Sequence, residues 1–155
     1  MPPEPAPGNA FLADHAALLC TSYRRLTGTA LLTVDANHSL AEALYRAPFV
    51  VLSHGTEPDP IFNDANLTAQ RLFEMTWAQI TAMPSRLSAE PLSRKERARL
   101  LAAVSERGFI EDYQGVRISA SGRRFMIEQA TVWNLIDAQG RPAGQAATFA
   151  HWTRL

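Results

Sequence analysis

The sequence predicts an α+β fold: a five-stranded antiparallel sheet with short helices inserted between strands 2 and 3, plus N-terminal helices. Three observations carry this. Residues 108–152 read as three long strands joined by two glycine-bearing turns, and they are rich in the β-branched and aromatic types that suit a pleated, half-buried surface. Residues 49–53 (FVVLS) and 61–63 read as two shorter strands, separated by a turn too proline-rich to be anything else. Between the second and third strands lie repeated helix-start signatures.

Taken in order, residues 1–8 (MPPEPAPG) form a proline-rich, extended and mobile tail. From Asn9 onward Phe11, His15, Leu18, Leu19, Tyr23 and Leu26 recur at helical spacing, and Gly28 supplies the stop. Residues 29–37 give no clear signal. Ser39 with Glu42 reads as a reciprocal capping box for a helix that ends before Pro48. After the two short strands, Asn63, Asp64 or Asn66 can cap a helix carrying Leu67, Leu72 and Phe73. Thr76 with Gln79 makes a second box, and Pro84 closes that segment. Ser93 with Glu96 makes a third, opening a helix through Leu100, Leu101 and Val104 that ends at Gly108. The expected division is a disordered tail over 1–8, a helical extension over 9–47 and a sheet domain over 48–155.

Residues 109–119, 123–136 and 143–152 are the three long strands, with turns at Ala120-Ser121-Gly122 and Asp137-Ala138-Gln139-Gly140. Strict alternation in the middle strand sends Phe125, Ile127, Trp133 and Leu135 to one face and Met126, Ala130, Val132 and Ile136 to the other. Both faces are apolar, so both must be covered. Each large apolar side chain taken from water contributes roughly 1.5–3 kcal/mol, and four left bare would forfeit several. The first helix is the leading cover for the second face, in its own molecule or across a dimer.

The chain has 155 residues, 46% hydrophobic and 19% charged, which is ordinary for one globular domain. Formal net charge is zero, so no strong pull on nucleic acid or anionic lipid is expected. Arg94, Lys95, Arg97, Arg99, Arg117, Arg123 and Arg124 could be drawn as a basic surface, but Glu96, Glu111, Asp112 and Glu128 balance them. Cys20 is the single cysteine and reads as a packing residue. There is no apolar run near the ~20 residues of a membrane span and no leader pattern, so a cytoplasmic setting is expected.

This element order, five strands with helices inserted after the second, is the layout of the PAS fold, whose inserted helices enclose a cavity on one sheet face. Asn63-x-x-Asn66, Leu72-Phe73-Glu74, Pro84-Ser85-Arg86, Gly115-Val116-Arg117-Ile118-Ser119, Gly122-Arg123-Arg124-Phe125 and Val132-Trp133-Asn134 resemble the MEKHLA family, a PAS-related domain. That resemblance covers nearly all the chain after the tail. The family occurs as stand-alone bacterial proteins and at the C-terminus of plant class III homeodomain leucine-zipper factors. It implies a sensory or regulatory module that binds a small organic ligand or a protein partner or dimerises; the doubly apolar strand points to a homodimer through the N-terminal helix and sheet face. The family supplies no catalytic role to transfer. The cysteine that light-oxygen-voltage domains carry on the inserted helices is absent, since Cys20 lies far upstream.

The candidate ligand-binding residues are Trp77, Met83, Arg117, Phe125, Ile127, Gln129, Trp133 and Gln145, either lining a cavity or filling one another's space as core. Arg117 stands inside an apolar strand. It must reach the sheet edge, pair with Asp112 or Glu128, or meet an anionic ligand; pairing is the leading expectation. His15, His38, His54 and His151 lack the spacing of a metal pair, there is no glycine-rich phosphate loop, and no metal or cofactor is expected. A small enzyme acting on a hydrophobic substrate in the same cavity, with His54 or His151 as acid or base, is the alternative.

Overall fold

The computed structural model describes residues 2–92 and 94–155. The helices are α1 (Ala13–Thr27), α2 (Leu40–Tyr45), α3 (Leu67–Phe73), α4 (Trp77–Ile80) and α5 (Arg94–Glu106). The strands are β1 (Val50–His54), β2 (Phe62–Ala65), β3 (Phe109–Ile118), β4 (Arg124–Ile136), β5 (Pro142–Phe149) and β6 (His151–Arg154). They form one antiparallel sheet in the order β2-β1-β5-β4-β3, with β6 paired to the N-terminal half of β4. The expected final strand is therefore two, interrupted at Ala150.

That interruption faces an irregularity in β4. Thr131 pairs with Thr148 and Glu128 with His151, so the break at Ala150 lies opposite Gln129, whose φ is 51°. A matching extra residue sits in β3, where Asp112 has φ 58° and the register shifts on either side of Tyr113. A bulge inserts one unpaired residue and reverses the alternation beyond it. Phe125 and Ile127 consequently share a face with Ala130 and Val132, while Trp133 and Leu135 lie on the other. The expectation that Trp133 sides with Phe125 fails for this reason.

The first face carries the larger core, where Phe73, Ile80 and Val104 of α3, α4 and α5 pack on Phe125, Ile127 and Val132. The second is covered by α1 and α2, whose Ala16, Leu19 and Leu44 pack on Val51, Trp133 and Leu135. Tyr23 meets Trp133 edge-on at 5.0 Å between centroids. Ser22 fastens the helix to the sheet, its Oγ donating to the Ile136 carbonyl at 3.3 Å and accepting from the Ile136 amide at 3.0 Å. The cover thus comes from the same chain, and pairing two chains through this face would have to displace α1 from its own sheet.

Local chemistry sets the element ends. The helix begins at Ala13 rather than Asn9, because Ala10, Phe11 and Leu12 all hold positive φ near 53°. Gly28 (φ 80°) ends it as expected. Ser39 accepts from the Glu42 amide, but the Glu42 carboxylate turns to Arg46 at 3.0 Å instead of closing the box. Thr76 and Gln79 do form theirs, at 3.2 and 2.9 Å. Of the three candidate caps for α3, Asn66 is used: its Oδ1 accepts from the Ala69 and Val51 amides, and its Nδ2 donates to the carbonyls of Leu44 and Phe49. Ser93 of the third box lies outside the described residues. The proline-rich segment makes contacts that a mobile tail lacks: Trp77 Nε1 donates to the Pro2 carbonyl at 2.9 Å, Tyr45 donates to Glu4 at 3.1 Å, and Pro5 is buried.

Candidate functional site

Between the first sheet face and the helices lies a cavity of about 180 Å³. Its floor is apolar, with Leu52 of β1, Ile127 and Val132 of β4, and Ala147 and Phe149 of β5. Phe73 of α3 and Leu100 of α5 close it from above. Polar groups enter at several points: His54, Gln145, Arg117, and Ser85 and Ser88 from the turn after Pro84.

Several of these groups are held by neighbours. Gln145 Nε2 donates to Asn134 Oδ1 at 3.3 Å, and Asn134 is itself anchored by donating to the Val104 carbonyl at 2.9 Å. His54 Nδ1 donates to the Gly55 carbonyl at 2.8 Å, which leaves Nε2 as an acceptor. Ser88 donates to the Ser85 carbonyl at 2.7 Å. His54 and Gln145 are cross-strand partners, and Gly144 beside them has φ 136°. A Cβ at Gly144 would lie 2.1 Å from the His54 carbonyl oxygen, so only glycine permits this approach of β1 to β5.

Arg117 lies on β3 next to Ala89, which forms a bridge with it. Its Nη1 donates to the Val116 carbonyl at 3.2 Å, and its Cζ stands 5.9 Å from the Tyr113 ring centroid. Contrary to the expected pairing, no carboxylate among the described residues pairs with Arg117. Among the described residues the ion pairs are Asp35–His38, Glu42–Arg46, Asp59–Arg86, Glu96–Arg99, Glu74–Arg123, Glu90–Arg124 and Asp137–Arg141. Asp112 is taken up by the bulge, and Glu128 accepts from Thr153 instead.

Of the eight candidates, Arg117, Ile127 and Gln145 come together at the cavity. Phe125 packs edge-on against Phe73 at 5.4 Å within the same core, and Met83 is half-buried against it. Trp77 points to the N-terminal segment, Gln129 is exposed in the bulge, and Trp133 is fully buried against α1. The Trp133 Nε1 has no hydrogen-bond partner among the described residues. Tyr113, Ser85 and Ser88 were missed. Tyr113 was recoverable from its two-residue steps to Gly115 and Arg117, whereas the serines sit in an aperiodic turn.

A second polar cluster lies under α1. His15 Nε2 is 2.9 Å from Ser53 Oγ, and Ser53 donates to Asn63 at 2.6 Å, so the hydroxyl proton points away from the imidazole. This arrangement is opposite to an activated serine, whose proton goes to histidine. Burial lowers the pKa of His15. Burial also pushes the nearby Asp64 carboxyl up to about 7 and the Cys20 thiol up to about 11. His151 is exposed on β6.

The MEKHLA domain model matches residues 13–154. The chain belongs to the MEKHLA domain family. Homeobox-leucine zipper protein HOX29 of Oryza sativa subsp. indica is 29% identical over 142 residues, covering 88% of this chain and 16% of its own length. This MEKHLA domain thus spans about a sixth of that relative. Of the two settings named for the family, bacterial stand-alone proteins and plant factors, the curated relatives found are plant proteins. Among solved structures, the PAS domain of a protein from Colwellia psychrerythraea superposes with TM-score 0.60 at 15% identity, covering 74% of this chain and 94% of that one. The light-state dimer of the fungal blue-light photoreceptor Vivid gives 0.59 at 13%, covering 86% and 90%. The MEKHLA domain therefore has a PAS/LOV-like fold. Among the described residues no helix is long and apolar enough to cross a membrane.

Proposed function

We propose that this MEKHLA domain is a sensory module that holds a small organic molecule between its sheet and its inserted helices; the cytoplasmic setting expected from the sequence belongs to the same proposal. The cavity of about 180 Å³ carries the reading, because its apolar walls and few anchored polar groups are the composition of a small-molecule site. Its size selects the ligand. It is below the ~300–1,000 Å³ of drug-sized pockets and close to the ~150 Å³ cavity that admits benzene. A ligand there touches Leu100 and so couples the docking of α5 to occupancy.

The test is a thermal-shift screen of small organic compounds on the full chain, with mass spectrometry under native conditions for a co-purifying molecule. Ala147→Phe, which fills the cavity, should abolish any stabilisation while leaving the circular dichroism spectrum unchanged. A chain that no compound stabilises, with Ala147→Phe failing to fold, has a solid core and refutes the reading.

A further inference from the structure

We infer that the ligand is a small monocarboxylic acid with an apolar body, and that Arg117 is the residue that takes its carboxylate; this rests on the cavity being a ligand site. Among the described residues lining the cavity there is no Asp or Glu, so the guanidinium is its one permanent charge. A guanidinium offers five N–H donors in a planar fork, and the Val116 carbonyl takes one. The Tyr113 ring stacks on it without using a donor. A half-buried cation in no ion pair among the described residues is unfavourable, and an incoming carboxylate would accept two parallel hydrogen bonds from it.

The backbone makes room for the fork. At Gly115 a Cβ would lie 2.9 Å from Arg117 Nη1 and 3.2 Å from the Tyr113 hydroxyl, so the glycine lets the guanidinium and the phenol pack over the strand. Ile127 and Val132 supply the surface for an apolar body of about one ring or one branched chain. A single cation matches a single negative charge, which favours a carboxylate over a phosphate ester with its charge near −2. The half-buried Gln145 and His54 offer acceptors for a hydroxyl or amide on the rest of the molecule.

The experiment compares matched pairs on the full chain: benzoate with benzamide, and isovalerate with isovaleramide, with sodium phosphate as the anion control. Binding is read by thermal shift and by titration calorimetry. The acids should bind at least tenfold tighter than their amides, phosphate should not compete, and Arg117→Gln should weaken the acids at least tenfold without changing the amides. Arg117→Lys, which keeps the charge and loses the fork, should recover only part of the affinity. The acid–amide preference of the unaltered chain decides the matter even if Arg117→Gln does not fold. Amides binding as well as acids, with both lost in Ala147→Phe, would overturn the organic-acid inference and leave the cavity reading standing. Phosphate competing as well as benzoate would overturn the carboxylate assignment. No binding by any member of the panel would overturn it as well.

Discussion

Replacing Asp64 with asparagine should stabilise the domain above neutral pH and leave it nearly unchanged at about pH 4 and below. The carboxyl lies on β2 at 9% exposure, and desolvation outweighs the single backbone amide that favours its charge, so its pKa rises to about 7. In the unfolded chain an aspartate titrates near 3.9. Between those values the folded state holds a proton that the unfolded state has lost, so this group's stabilising contribution is complete below about pH 4 and declines until about pH 7. At roughly 1.4 kcal/mol per pH unit, the part of that window above pH 5 amounts to about 3 kcal/mol. Two titratable groups share the site. His15, its pKa lowered by burial, works the other way and loses stability as pH falls below its unfolded value; Tyr45, raised first by burial, titrates above the window. The difference between Asp64→Asn and the parent chain cancels the His15 contribution, and Tyr45, whose shift includes a part from the Asp64 charge, stays neutral across the window. Urea unfolding at pH 5 and pH 8, followed by tryptophan fluorescence, should therefore show that difference growing by about 3 kcal/mol in favour of the variant. A difference that does not change with pH would mean that Asp64 ionises as it does in water, and would refute the burial argument.

Asn66→Ala strands two backbone amides and two carbonyls at one buried point, and should cost about 4 kcal/mol or more in denaturant unfolding. A loss under 1 kcal/mol would show that water replaces the amide. Gly144→Ala should cost more than about 3 kcal/mol through the collision with the His54 carbonyl, and calorimetric binding of any cavity ligand should weaken with it. The Cys20 thiol, raised by burial to about 11, should react with a disulfide reagent at pH 8 roughly 100-fold more slowly than a free thiol until the chain is unfolded. Fast labelling of the folded protein would contradict the packing of α1.

Much of the architecture was legible because it depends on short-range signals. The Thr76–Gln79 box, the Gly28 stop and the short apolar run of β1 all act within a few residues, and each appears within a residue of where the sequence placed it. The candidate site was legible only in part, because one long-range feature displaces it. Gln129 adopts positive φ without being glycine, asparagine or aspartate, so nothing in its neighbourhood announces a bulge. Carrying strict alternation through it put Trp133 on the face of Phe125 and so into the cavity. Trp77 failed differently: its indole found a backbone carbonyl at Pro2, a contact between segments that no local pattern encodes.

The paired irregularities at Asp112 and Gln129, with the gap at Ala150 beside them, divide one sheet into two panels along a crease. Positions in β4 should therefore be numbered outward from that crease when chains of this family are aligned. A deletion of one residue between Glu128 and Ala130 would exchange the inner and outer linings of everything downstream, presenting Trp133 where Val132 now stands, while leaving composition and strand length almost untouched.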